Sequence, residues 1–600
     1  MNKVKTFITN IGYSMKCAYE SAPKYFILKI ILAVFTSAIP FINIQIFRNI
    51  INFLTNISLY EFSYLIINII AYMTLYITDQ LLNNVWIYID NKYADKSAYY
   101  VENLLINKFA EVDLAFYDSS EKMDKLSQLW DLKHSLITAS EIVFYLIRFG
   151  IAFTTSLVML IQLNIWYVVM VIVLSIPVFI LRNKVDYMDR TFYDTHAKTE
   201  RRLSYFKYIF QNPNNAFDIK LFGLKDFFLG KYVDAWKEWF ARRTEVAKKS
   251  MVFSFIALFI STVTNQIILY AIIISKLAAR AIMIGDATYF ISVFGQFYNS
   301  SVSLVSFISF SQNYSFARLA TIKDFMDMEP IIQKSGTLEP ADFERIEFVN
   351  VDFKYPGTEK YVLQDCSFTM KRDQTFGLVG ENGSGKSTIV KLLLRLYDID
   401  GGQILLNGTD IRDYDIVKYR SMFSVLFQDY MQYSLTLREN VGLSDYADMD
   451  NDARINEAID KSELREIVKD WEKGLESPMT RWFDEDGKEL SGGQWQRVAL
   501  ARVFFSNRDF IVLDEPSASL DVFAEEKIFS EFNQLSNHRT SLIISHRLSS
   551  IVNADIIVVL KDGKIIEQGG HKELLNSGGY YAELFNLQAS KYIVAENAVI

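Results

Sequence analysis

A helix that crosses the roughly 30 Å hydrocarbon core of a bilayer needs about 20 consecutive, mostly apolar residues. Six stretches of that length crowd the first half of this chain, near 25 to 47, 62 to 82, 140 to 162, 165 to 182, 251 to 275 and 284 to 310. Runs such as "IWYVVMVIVLSIPVFIL" (165 to 181) carry no charge on any face, which argues against the buried helices of a soluble protein. The expectation is an all-helical, six-span membrane region. Composition agrees, with half of the residues hydrophobic, 15% aromatic and a mean hydropathy of +0.11. A formal net charge of -8 speaks against a nucleic-acid partner. Two distant cysteines, Cys17 and Cys366, exclude a disulfide framework. The amino terminus has no short apolar run ending in a small-residue cleavage site, so no removable signal peptide is expected.

The spans are unequally joined. Short turns connect the first to the second and the third to the fourth, whereas some 60 charged, helix-like residues separate the second from the third and the fourth from the fifth. The segment 182 to 250 contains "RNKVDYMDR", "KTERRLSYFK" and "ARRTEVAKK", and the rule that Lys and Arg stay inside places it and both chain ends in the cytoplasm. Lys276 and Arg280 are then local exceptions on the outer side. Asp79, Glu141 and Arg148 lie inside spans, where a charge costs about 3 kcal/mol even on the lenient insertion scale. Glu141 and Arg148 are seven residues apart and share a helix face; Asn265, Gln266, Gln296 and Asn299 add hydrogen-bonding groups. A polar cavity between helices and structural helix-to-helix pairing both account for them.

Composition changes after about 320, and the polar stretch with Pro330 and Pro340 reads as a linker. The expected organisation is a membrane domain at 1–322, a linker at 323–344 and an α/β domain with a largely parallel sheet at 345–600. "GENGSGKS", Gly380 to Ser387, fits the phosphate loop G-x-x-x-x-G-K-[ST] between the apolar strand "TFGLV" and the helix-type "TIVKLLLRL". Backbone N–H groups of Gly380, Glu381, Asn382, Gly383, Ser384, Gly385 and the helix start at Thr388 can curl around phosphate oxygens. Lys386 would neutralise the outer phosphates and Ser387 would ligate Mg²⁺. "FIVLDE" (510 to 515) is an apolar strand ending in two carboxylates, suited to holding Mg²⁺ through Asp514 and orienting water through Glu515. "LSGGQ" (490 to 494) offers Ser491, Gly492, Gly493 and Gln494 at a helix start, a second anion site.

In this order and spacing the second half, about 345 to 590, resembles the nucleotide-binding domain of ATP-binding cassette (ABC) transporters, with ATP and Mg²⁺ as the implied cofactors. The resemblance implies that Tyr355 stacks on adenine, that Gln428 in "VLFQD" touches Mg²⁺ and relays to the membrane domain, and that Asp514 is the metal-side carboxylate. It further implies that Glu515 is the catalytic base, that Asp521 ends the loop between paired sites, and that His546 in "ISHR" contacts the γ-phosphate. Because the family sandwiches ATP between the phosphate loop of one domain and the "LSGGQ" of another, a second chain is implied. A homodimer would have two competent sites; a heterodimer stays open. The first half resembles the exporter-type membrane domain, and "DLAFYDSS" (113 to 120) and "FDIKLFGL" (217 to 224) look like its coupling segments.

Within the family, "FSVLFQDYMQYSLTLRENVGLSDY" and "RWFDEDGKELSGGQWQRVALARVFF" look most like lanthipeptide exporters of the nisin-transporter type, marked by Trp495, Trp482 and Phe483. The loop before the signature reads "DEDGKE", keeping Glu485 and Gly487 but placing Asp486 where common exporters have arginine. The implied function is ATP-driven export of a modified peptide or bacteriocin across the bacterial cytoplasmic membrane by alternating access, with the precursor and its modification enzymes as partners. With about 24 residues before the first span, no leader protease is expected in the chain. A lipid or multidrug exporter, a sensor that moves nothing and an importer of the same fold are the alternatives.

Overall fold

A computed structural model describes the backbone of residues 2–55, 62–118, 141, 143–310, 322–332, 336–516 and 539–596. The chain forms two units, one of Met1–Glu111 with Asp124–Met328 and one of Val112–Met123 with Glu329–Ile600.

The first unit is helical: α1 (Asn2–Ser21), α2 (Pro23–Thr55), α3 (Phe62–Glu111), then, after the four-residue α4 (Leu114–Tyr117) of the other unit, α5 (Val143–Ile161), α6 (Ile165–Gln211), α7 (Pro213–Leu221), α8 (Lys225–Leu258), α9 (Asn265–Ala278) and α10 (Ile284–Phe310). Among the described residues, four helical segments are long and apolar enough to cross a membrane: α2, α3, α5 and Ile165–Tyr193 of α6. The fifth apolar stretch changes pitch within its length. A π-helix, Phe259–Thr264, separates α8 from α9 and leaves Gln266–Ala278 as a shorter apolar helix, while the sixth stretch forms α10. At 1.5 Å per residue the 50 residues of α3 and the 47 of α6 extend about 75 and 70 Å, more than twice a bilayer core. Each charged connector therefore begins as an unbroken continuation of an apolar helix.

Several charged groups within this unit pair with one another, while the buried Asp79 Oδ1 has no hydrogen-bond partner. Lys29 of α2 is fully buried, and its ammonium lies 2.6 Å from Asp90 of α3 and 2.6 Å from Glu141, above the rings of Tyr93 and Phe144. Arg148 of α5 donates to Asn83 Oδ1 of α3 at 3.0 Å and sits over Trp86. A buried charge without a partner costs several kcal/mol, which pairing relieves. Glu141 and Arg148 thus join helices to each other, the second of the two accounts their spacing allowed. Lys276 donates to the carbonyl of Leu163 at 2.7 Å, capping the turn between α5 and α6, which gives this cation a structural task.

The second unit holds two sheets. A four-stranded antiparallel sheet, unforeseen in the sequence reading, has the order β2-β1-β4-β5, from β1 (Arg345–Phe353), β2 (Leu363–Lys371), β4 (Gly401–Leu406) and β5 (Thr409–Asp410). The main sheet runs β10-β9-β3-β8-β7-β6, with β3 (Thr375–Gly380), β6 (Phe423–Leu426), β7 (Phe510–Asp514), β8 (Thr540–Ile544) and β9 (Ile556–Lys561) parallel and β10 (Lys564–Gly569) antiparallel at one edge. Side chains alternate between faces along a strand. Ile511, Leu513, Ile543, Ile557 and Val559 accordingly enter one apolar cluster, and Phe510, Val512, Leu542, Ile544, Val558 and Leu560 the other. Both faces being covered, β7 and β8 read as continuous apolar runs in the sequence.

Candidate functional site

In a parallel sheet, loops leaving the carboxyl ends of neighbouring strands converge along one edge. Here β3 runs into the loop 381–385 and then α11 (Lys386–Leu393); β8 stops two residues before His546; β7 delivers Asp514 as its last residue and Glu515 just beyond; β6 stops two residues before Gln428. These strands are consecutive neighbours in the order β3-β8-β7-β6, so residues up to 166 positions apart meet along one edge. Between them lies a cleft of about 370 Å³ lined by Tyr355, Asn382, Gly383, Gly385, Lys386, Ser387, Thr388, Gln428, Glu515 and His546.

The loop can take this path because two glycines permit it. Gly385 has φ +110°, and a Cβ on Gly380 would lie 2.1 Å from the Leu560 carbonyl oxygen. Lys386, nearly buried at the start of α11, donates from Nζ to the carbonyls of Gly380 and Glu381, both at 2.9 Å. Burial lowers its pKa, while Glu515 and Asp514 act to raise it. The loop, the helix start and a cation held by weak carbonyl acceptors suit an anion with several oxygens.

The chemistry of the donor set also fits a divalent cation. Asp514 is buried, and its Oδ1 has no hydrogen-bond partner. Burial raises its pKa; Glu515 adds to the rise, and a hydrogen bond from Ser387, Lys386 and His546 oppose it. A buried carboxylate oxygen without a donor, beside a hydroxyl, is the kind of oxygen set that Mg²⁺ accepts.

Glu515 occupies the left-handed region at φ +52°, a conformation that costs a non-glycine residue energy and has to be held. Its N–H donates to Ile544 O at 2.9 Å, and His546 Nε2 lies 2.5 Å from its Oε1. Gln496, buried within the helix α12 (Gly492–Ser506), donates from Nε2 to the carbonyl of Pro516 at 2.6 Å. The sequence reading missed Gln496; the signal was an amide on an otherwise apolar helical face in "QWQRVALARVFF". Tyr355 hydroxyl-bonds to Thr388 Oγ1 at 3.1 Å and meets Tyr397 edge-on, with ring centroids 5.3 Å apart.

Ser491 caps α12, accepting from Gln494 N–H, while Gln494 Oε1 accepts from Ser491 N–H. Among the described residues, none of Ser491, Gly492, Gly493 and Gln494 lines the cleft. Trp495 is buried in the core, whereas Trp482 and Phe483 are 76% and 81% exposed. Asp521 lies outside the described residues. The segment 113–118 belongs to this unit: Ala115 is buried in its core, Asp113 accepts from the N–H groups of Ile331 and Ile332, and Asp118 accepts from the Tyr397 hydroxyl.

The family described as ABC transporter matches residues 363–518. The subtilin transport ATP-binding protein SpaT of Bacillus subtilis is 30% identical over 80% of this chain and 78% of its own. The nisin transport ATP-binding protein NisT of Lactococcus lactis subsp. lactis is 30% identical over 70% of each chain, and an ATP-dependent lipid A-core flippase of Bordetella avium 30% identical over 75% of each. Among solved structures, a bacterial Atm1-family ABC exporter with ATP bound superposes with a TM-score of 0.74 at 20% identity, covering 95% of this chain and 99% of the other.

Proposed function

This chain belongs to the ABC transporter family, in which ATP hydrolysis is coupled to transport, and from that premise we propose that it exports a ribosomally made, modified peptide of the lanthipeptide type across the bacterial cytoplasmic membrane. The likeness to SpaT and NisT over most of the chain supports a peptide cargo. The observation that carries the ATPase assignment is the convergence of Lys386, Ser387, Asp514, Glu515 and His546 on one cleft edge.

In this reading ATP lies with its adenine on Tyr355 and its phosphates in the loop 380–388. Lys386 neutralises the outer phosphates, while Ser387, Gln428 and Asp514 would hold Mg²⁺. When bound, that ion supplies charge neutralisation for phosphoryl transfer. Glu515 takes a proton from the attacking water. His546 orients the Glu515 carboxylate and faces the outer phosphate. The unlined position of residues 491–494 supports a second copy of the chain, whose signature turn would complete each cleft. The membrane region of residues 1–322 then carries six spans per chain with both termini in the cytoplasm, joined through 323–344 to the ATPase domain at 345–600. The tips 113–120 and 217–224 couple closure of the ATPase domains to alternating access of the membrane region. ATP drives the cycle only through its preference for the closed dimer.

A second reading, a lipid exporter, is supported by the flippase relative. The test is the ATPase rate of the protein in lipid nanodiscs, wild type beside Glu515→Gln, titrated with a lanthipeptide precursor, its leader alone, and a panel of lipids and hydrophobic drugs. A saturable response to the precursor supports peptide export. A response confined to lipids or drugs overturns it in favour of the second reading.

A further inference from the structure

The last described helix, α13 (Tyr580–Glu596), is anchored independently of the cleft. Tyr581 is fully buried in the core, and the two oxygens of Glu567 on β10 accept from the N–H groups of Tyr580 and Tyr581 at 2.5 and 3.0 Å. From that base the helix reaches both sides of the ATP site. The Tyr580 hydroxyl donates to the carboxylate of Glu381, inside the phosphate loop. Eight residues on, about 12 Å along the axis, Gln588 Nε2 donates to the carbonyl of His546 at 2.7 Å and its Oε1 accepts from Leu548 N–H at 3.0 Å. One amide thereby brackets the segment 546–548, using a donor and an acceptor at once.

The His546 carbonyl lies two residues past the end of β8, beyond the residues through which that strand pairs with β3 and β7. A side chain that grips this carbonyl and the N–H two residues on limits how far the imidazole can move from its position 2.5 Å from Glu515. We infer that Gln588 is a positioning residue for ATP hydrolysis, fixing the backbone that aims His546 at Glu515, and that α13 ties this loop to the phosphate loop through Tyr580. The inference rests on the reading of His546 as a participant in hydrolysis.

The test uses the full-length protein in nanodiscs. Gln588→Ala should lower kcat for ATP about 5- to 10-fold, the scale of one or two lost hydrogen bonds, with KM for ATP changed less than about twofold. Gln588→Glu keeps the length and the acceptor for Leu548 N–H but sets a carboxylate against the His546 carbonyl, and it should lose as much. In a His546→Ala background, Gln588→Ala should cause no further loss, because the group it positions is gone. Thermal unfolding should barely move, since Tyr581 and Glu567 still hold the helix. Wild-type kcat in Gln588→Ala, full activity in Gln588→Glu, an additive loss in the double variant, or a fall in kcat matched by a lost folded fraction would each overturn the inference. If His546→Ala alone retains wild-type kcat, the reading of His546 fails, and the inference with it.

Discussion

Two short helical tips end the long connectors of the membrane half, and the chain treats them differently. α4 is half covered within its own chain: Ala115 and Phe116 are buried, Leu114 and Tyr117 are 38% and 39% exposed, and Asp113 and Asp118 accept hydrogen bonds from the ATPase unit. At the end of α7, by contrast, Phe217, Leu221 and Phe222 are 72%, 61% and 66% exposed. Leaving such side chains in water forgoes about 25 cal/mol for every Å² that could be buried. In the dimer proposed above, a second copy of the chain supplies the complement both for these side chains and for the turn 491–494. The difference is one of burial: part of α4 packs into the core of the ATPase unit, whereas the apolar side chains around the end of α7 stay exposed.

The largest effect that bears on this contrast is chemical. Glu515→Gln should keep ATP binding and lower hydrolysis by about 10³-fold, the scale of a lost general base, holding the ATP-bound pair of chains together. In that background a cysteine placed at Phe222 should lose maleimide reactivity when ATP is added, whereas one placed at Tyr117 should not. Unchanged labelling of the Phe222 position breaks the comparison.

Next comes a stability difference. Ala115→Arg puts a charge into the core beside α4 and should destabilise the protein by about 3 kcal/mol, seen as a lower Tm. Leu221→Arg on α7 should leave the Tm within about 1 °C, as exposed substitutions do, yet lower substrate-stimulated ATPase. Equal Tm losses would remove the distinction. Tyr397→Phe deletes the hydroxyl that bonds Asp118 and should weaken the α4 connection by about 1 kcal/mol, read as less substrate stimulation with basal ATPase retained.

The smallest effect concerns pH. Burial raises the Asp514 pKa. The stability this group contributes is therefore full below the ordinary carboxylate pKa and is lost as pH rises through the raised value. Asp514→Asn should raise the Tm of the nucleotide-free protein at neutral pH, an advantage that fades as pH falls to the ordinary carboxylate range. The variant should also lose the extra Tm that Mg²⁺ adds in the presence of ATP. Thermal scans across pH, with and without Mg²⁺ and ATP, measure both.

The phosphate loop, the signature turn and the "FIVLDE" strand were legible because each function demands residue types within a few positions: glycines where φ is positive, a capping serine, carboxylates where a buried strand emerges. The apolar stretches were legible for the same local reason, since a bilayer imposes a length and a composition on any helix that crosses it. What lies between such segments was not. Nothing in the residues around Lys29 marks it, because its carboxylate partners Asp90 and Glu141 lie 61 and 112 positions away. Gln588 sits in a helix-type tail with no motif, and its two partners lie 40 and 42 residues upstream.

By itself, then, the sequence determined that this chain has an oily helical half and a phosphate-gripping α/β half, because periodicity and loop chemistry are written over a few turns or one strand. Only the tertiary structure decided which of those pieces meet. The strand order β3-β8-β7-β6 brings the loop, His546, Glu515 and Gln428 to one edge, and helix packing turns Glu141 toward Lys29. Those choices depend on burying both faces of one sheet and on pairing buried charges, requirements satisfied over the whole fold that no local stretch encodes.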